Sequence, residues 1–256
     1  MRTMRYFATQ RPPDVRVRKR AGNQLLSGPD GRRAHRLMRR YPFTTGHSPS
    51  VIVMLVIAHY IESFEAFFPS SAPDLPWQVT ARAAALIRAR LDGLGPDFIV
   101  DGEVAIHRRA VIETGVVLKG PVIVSQNCFV AAHAYLRGGV FLAEGVVVGP
   151  GCEVKSSFVF AGSTLAHFNY VGDSLVGARV NLEAGAVLAN HFNEREDKAI
   201  SVVVDNQRLS TGTDKFGALI GDRCRIGANA VTSPGTVLRP GSVVGRLALV
   251  DQAGSV

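Results

Sequence analysis

From Ile106 onward an aliphatic residue occupies every sixth position: Ile106, Ile112, Leu118, Val124, Val130, Leu136, Leu142, Val148 and Val154, with Phe160 next in line. Four residues after each comes a small or medium side chain, as at Ala110, Val116, Val122, Cys128, Ala134, Val140, Val146, Cys152, Phe158 and Thr164. Gly, Pro, Asn and Ser crowd the positions between, as in Gly149-Pro150-Gly151. A period of six matches neither the 3.6 of an α-helix nor the 2 of an ordinary strand. It suits a β-solenoid, in which a short strand and a tight turn repeat on successive flat faces and like side chains stack coil on coil. The pattern predicts an all-β solenoid with aliphatic residues inside and turn formers at the corners. The register slips around Ala166 to Asn169 and resumes at Tyr170, Val176, Leu182 and Leu188. After a non-repeating stretch, 190–217, it returns at Ile220, Ile226, Thr232, Leu238 and Val244. Within that stretch, Ile200 to Val204 and Gln207 to Ser210 flank Asp205-Asn206, a hairpin signal.

Residues 54–94 follow a helical period. Leu55, Ala58, Tyr60-Ile61, Phe64 and Phe67-Phe68 form one apolar face, with Glu62 and Glu65 outside it, and Pro69 and Pro73 end the run. Asp74-Leu75-Pro76 offers a cap and a first-turn proline for a second helix to about Leu91, closed by Gly93 and Gly95. The expected organisation is an extension over 1–53, a short helical hairpin over 54–95 and a solenoid domain over 96–256 with 190–217 inserted.

Charge changes one part of this picture. The 256 residues carry 29 Lys and Arg against 21 Asp and Glu, a net +8 that by itself suggests nucleic acid. Residues 1–53 hold 12 of those basic side chains against Asp14 and Asp30 alone, so the rest of the chain is slightly acidic. That segment mixes charge with helix breakers and shows no period, so a disordered basic extension is expected, with Met54 a candidate start and nucleic acid not an expected partner. The longest apolar run, Val51 to Ala58, falls well short of the ~20 residues that span a bilayer, and no signal-cleavage site follows it. Cys128, Cys152 and Cys224 form no CxxC pair, which argues against a disulfide scaffold or a cysteine zinc site and suits a cytoplasmic protein. All three take the second inward position of a hexad.

The repeat resembles that of the left-handed parallel β-helix acyltransferases built from hexapeptide repeats. Between about Ala134 and Val231 it is most similar to the acetyltransferase half of the bifunctional enzymes that make UDP-N-acetylglucosamine. Arg137-Gly138-Gly139 resembles that family's Arg-Pro-Gly, and Lys155 falls where its sugar-phosphate-binding lysine does. Ala166-His167-Phe168-Asn169-Tyr170-Val171-Gly172-Asp173 resembles its Gly-His-Leu-Thr-Tyr-Leu-Gly-Asp, which carries the catalytic histidine. Asn181, Ala184-Gly185 and Asn190 keep the family spacing from that histidine, and Lys215-Phe216 with Ile220-Gly221-Asp222 resembles Lys-Phe and Ile-Gly-Asp. The family's Asn-Tyr pair is Asn190-His191 here. Residues 1–95 carry no Gly-rich phosphate loop, so nucleotidyl transfer is not expected.

Acyl transfer to an amine needs a neutral amine, since an ammonium has no lone pair, and a histidine of ordinary pKa ~6.5 can take that proton. By the resemblance, His167 is the general base. Arg137, Lys155 and Lys215 bind an anionic amino-sugar acceptor, while Tyr170, Asn181 and Asn190 hydrogen-bond its hydroxyls or amine. Backbone N–H groups near Ala184 and Ala228 face the donor, acetyl-CoA. Tyr170 also fits an inward hexad position, which makes it a core residue on the other reading, and Asp173 either orients the imidazole or serves structure. The resemblance further implies a homotrimer with sites between prisms. A non-catalytic solenoid that binds sugar nucleotides or scaffolds a partner, and an N-acyltransferase that uses an acyl carrier protein, are the alternatives. His107, His133, His167 and His191 lack the close pairing of a histidine zinc site, so no metal is expected.

Overall fold

The computed structural model describes residues 55–253, and the basic segment 1–53, with Met54, lies outside the described residues. The strands wind into a parallel β-helix. Like positions pair in register one coil apart, Ile106 with Val124 and Val124 with Leu142. Seven strands form one flat face. The other two faces are one continuous 13-stranded sheet, because the strands Tyr135–Leu142 and Glu153–Val159 bend through a corner without ending. Phe98–Asp101 turns back antiparallel on Val104–His107 and closes the first coil.

The interior follows the hexad rule up to Val154. Val122, Val124, Cys128, Val130, Ala134, Leu136, Val140, Leu142, Val146, Val148, Cys152 and Val154 fill it. Cys224 joins them further along, and all three thiols are free and buried. Beyond Val154 the structure corrects the sequence pattern. The inward residues are Val159, Leu165, Val171 and Val176, whereas Phe158, Phe160, Thr164 and Tyr170 stand elsewhere. Two five-residue steps, Val154 to Val159 and Val171 to Val176, replace the single slip expected near Ala166.

Serine makes those short steps possible. Ser157 Oγ accepts the Ser174 N–H at 3.0 Å and donates to the Lys155 carbonyl at 2.7 Å. In the six-residue step that follows Val159, Ser163 Oγ makes the same pair of bonds, accepting from Val180 N–H at 2.9 Å and donating to the Gly177 carbonyl at 2.7 Å. Ser174 does the same between Ala218 N–H and the Gly172 carbonyl. A phenylalanine inside would leave those buried backbone groups unpaired at about 1–3 kcal/mol each. Hydropathy alone therefore chose the wrong neighbour.

The displaced aromatics build a second core. Ile123, Phe141, Phe158, Leu175, Leu219 and Val237 pair in register along one outward face, and all are buried. The segment 55–94 covers them. It departs from the expected hairpin in its first half: Ile57–His59 and Pro69–Ser71 are 3₁₀ turns, and α1 (Phe64–Phe67) is a single turn. A helix that short has little stability of its own, so packing decides its shape. Phe68 meets Phe141 and Phe158 edge-on with centroids 5.2 and 5.0 Å away, and Phe64 lies 6.1 Å from Phe160. α2 (Pro76–Ala81) and α3 (Ala83–Leu91) follow with a break at Arg82. Gly139, at φ +97°, lets this segment approach the corner, since a Cβ there would lie 2.4 Å from Ala84 N.

In the insertion, Ser201–Val204 pairs antiparallel with Gln207–Ser210. Asp205 and Asn206, at φ 50° and 62°, supply the left-handed pair that such a two-residue turn needs. Val202 and Val204 join the second core. Two faces of the prism remain uncovered by the helical segment, with Val111, Val117, Val243 and Leu249 exposed on them.

Candidate functional site

Five of the residues singled out in the sequence come together on one open face. The strands Tyr135–Leu142, Glu153–Val159 and Tyr170–Gly172 lie side by side, with Tyr135, Glu153 and Tyr170 in one outward row and Arg137, Lys155 and Gly172 in the next. The Arg137 guanidinium reaches Glu153 Oε1 at 2.7 Å. Lys155 Nζ donates to Asp173 Oδ2 at 2.6 Å, and Asn190 Nδ2 donates to the same oxygen. Tyr170 donates its hydroxyl proton to Asn190 Oδ1 at 3.2 Å. Burial, then the Asp173 and Glu153 carboxylates, push the Tyr170 phenol above its ordinary pKa, so it stays a donor. Tyr170 is thus an outward, polar-facing residue and not a core one.

The insertion returns to this cluster. Phe216 N–H donates to the Asn190 carbonyl at 3.2 Å and Gly217 N–H to the Asp173 carbonyl at 2.9 Å. Lys215 is therefore delivered beside Asn190, exposed and without an acid partner among the described residues. Gly217 has no room for a side chain, because a Cβ would meet the Gly172 carbonyl oxygen at 2.1 Å.

His167 lies on the adjoining edge of the prism, exposed, between the strands Thr164–Leu165 and Tyr170–Gly172. The carbonyls of Ala132, Pro150, His167, Ala184 and Ala228 each accept an N–H from the corner one coil on, so these five residues form a column along that edge. Ala184 and Ala228 thus share the edge of His167. Their N–H groups differ. Ala228 N–H is taken by Glu183 Oε2 at 3.0 Å, which removes it as a donor to a ligand, and Ala132 N–H is taken likewise by Glu113 at 2.7 Å. Gly149 and Ala166 stand where those glutamates would be one coil below His167 and Ala184, and the N–H groups of His167 and Ala184 have no partner among the described residues. Gly149 cannot be larger, since a Cβ would fall 1.5 Å from the Ala166 carbonyl oxygen.

Asn181 is apart from the rest. It pairs with Thr164 and Arg225 on the seven-stranded face, on the far side of the His167 edge from Tyr170. There a groove of about 230 Å³ is lined by Asn181, Glu183, Arg225, Gly227 and Arg246. Glu183 is held below its ordinary pKa by hydrogen bonds from Arg246 and from Ala228 N–H. Sequence reasoning missed Glu153, Glu183 and Lys119; residues 18 apart stack on successive coils here, and that spacing from Arg137 would have found Lys119. No group of three His, Cys, Asp or Glu side chains among the described residues is placed to hold a metal ion. No described helix is long and apolar enough to cross a membrane.

These coils define a hexapeptide-repeat solenoid. The family described as the hexapeptide repeat of succinyl-transferase matches residues 217–245. A bifunctional sugar-1-phosphate nucleotidylyltransferase/acetyltransferase from Sulfurisphaera tokodaii is 36% identical over 57% of this chain and 38% of its own length. The bifunctional protein GlmU of Heliobacterium modesticaldum is 32% identical over 56% of this chain and 30% of its own. The putative uncharacterized acetyltransferase YaiX of Escherichia coli is 30% identical over 59% of this chain and 65% of its own. The chain thus spans less than two fifths of either bifunctional relative and under two thirds of the third. The repeat and these likenesses support a hexapeptide-repeat acyltransferase family, whose solenoid is a left-handed β-helix.

Proposed function

We propose that the protein N-acetylates an amino sugar carrying a phosphoryl or nucleotidyl group, with acetyl-CoA as donor. One observation carries this reading: an exposed histidine shares a prism edge with two uncapped backbone N–H groups, beside a face bearing Arg137, Lys155, Tyr170 and Asn190. His167 takes a proton from the acceptor amine as its nitrogen attacks the thioester carbonyl. The Ala184 N–H stabilises the oxyanion that forms, a role worth up to a few kcal/mol for one well-placed donor. Collapse expels the CoA thiolate, which leaves as the thiol with the proton His167 carried. Arg137, Lys155 and Lys215 hold the acceptor's anionic group.

The uncovered faces, with exposed Val111, Val117, Val243 and Leu249, support a homotrimer in which the Asn181 face of one prism completes the site of the next. In that arrangement the Arg225 groove serves the donor. Thiol release from acetyl-CoA with glucosamine 1-phosphate and related amino sugars tests the proposal. We expect turnover with at least one acceptor and a loss of about 10²–10⁴ in kcat for His167→Ala. An unimpaired His167→Ala enzyme, or no acceptor that releases thiol, would refute it.

A further inference from the structure

The face beside His167 continues one coil further down. The strand Val117–Lys119 pairs in register with Tyr135–Leu142, which sets Lys119 against Arg137 just as Arg137 is set against Lys155. Three cations thus occupy one row on consecutive coils. Coils rise by about 4.8 Å, so the row from Lys119 to Lys155 is about 10 Å long.

The charges in this row are not equally available. Arg137 is paired with Glu153 and Lys155 with Asp173, so the two cations matched to a sugar phosphate are each neutralised by an acid one coil above. Tyr135 stands at the corresponding place above Lys119. Lys119 Nζ lies 5.2 Å from the centroid of that ring and Arg137 Cζ lies 5.7 Å from it, so the phenol links the two cations without cancelling either. Among the described residues Lys119 is exposed and has no acid partner. The row with its two acids carries one net positive charge, and Lys119 supplies it.

A single phosphoryl group at Arg137 and Lys155 leaves this free cation unused. Two linked phosphoryl groups extend along the row and reach it. We infer that the acceptor is an amino sugar joined through a pyrophosphoryl bridge to a nucleoside, and that Lys119 is the residue that selects it over the sugar monophosphate. The inference rests on the acyltransferase reading for the place of the sugar, but its test reads binding alone.

Calorimetric titration of the full chain with UDP-glucosamine and with glucosamine 1-phosphate makes the comparison. The diphosphate ligand is expected to bind about tenfold or more tightly than the monophosphate. In Lys119→Met that ratio falls about tenfold, while Lys119→Arg retains most of it, and an unchanged melting temperature shows that the fold is kept. A monophosphate that binds as well as the diphosphate, a ratio untouched by Lys119→Met, or no binding of either ligand overturns the inference. Thiol release is measured separately. A Lys119-dependent preference without thiol release upholds this inference and sinks the acyltransferase reading, and turnover without the preference does the reverse.

Discussion

Asp173→Ala should unfold the protein at distinctly lower temperature, and the size of the loss follows from what Asp173 holds. Its carboxylate side chain is 8% exposed and that of Lys155 is 23% exposed, so this is a largely buried pair. The same oxygen accepts from Asn190, whose own amide oxygen accepts the Tyr170 hydroxyl. Removing one member of a buried pair costs about 3–5 kcal/mol, because the other charge is left without its counterion. Lys155 retains some access to water and can turn its ammonium outward, which reduces the figure to about 2–3 kcal/mol. For a chain of this size each kcal/mol moves the melting point by about 2–4 °C, so a fall of about 4–12 °C is expected. The companion Asp173→Ala/Lys155→Met variant removes both charges and should recover much of the loss. Differential scanning calorimetry on the parent, the two single variants and the double variant completes the cycle. If the single variants melt within a degree of the parent, or the two losses simply add, the pair is not the buried link described here.

Other outcomes test the fold around the site. Ser163→Ala should cost about 2–4 kcal/mol in urea melts, because Val180 N–H and the Gly177 carbonyl both lose their partner; a loss below half a kcal/mol would mean that corner of the coil does not depend on that hydroxyl. Gly139→Ala should destabilise by several times the usual Gly-to-Ala effect, since its Cβ would collide with α3 at a left-handed φ, and a neutral melt would place the helical segment elsewhere. Burial pushes the Cys128 thiol to about 11 and raises those of Cys152 and Cys224, so at pH 8 the native protein should resist thiol reagents that label all three in urea. Rapid labelling of the native protein would contradict their inward placement.

The six-residue period was enough to specify the solenoid, since side chains stacked coil on coil must repeat wherever the chain returns to the same face. It also placed the three cysteines inside, while the Asp205-Asn206 pair between two strand-like runs marked the hairpin tip in the non-repeating stretch, both local consequences of size and backbone conformation. His167, Arg137, Lys155, Tyr170 and Asn190 were legible as candidates through resemblance. Pattern could not tell Ser157 from Phe158 as the inward residue. That choice depends on which backbone N–H groups face the interior, and on the helical segment that takes up the outward aromatics. Nor could it show that Gly149 and Ala166 leave two N–H groups uncapped where Glu113 and Glu183 cap their equivalents. Neither could it show that Asn181 faces away from Tyr170 across the His167 edge. Each of these is set by pairing between residues about 17 or 18 apart or by the return of the 190–217 insertion. The sequence alone determined the repeat and the chemistry it carries; which side chains share a face, and which charges are already spent on one another, was decided only when the coils closed.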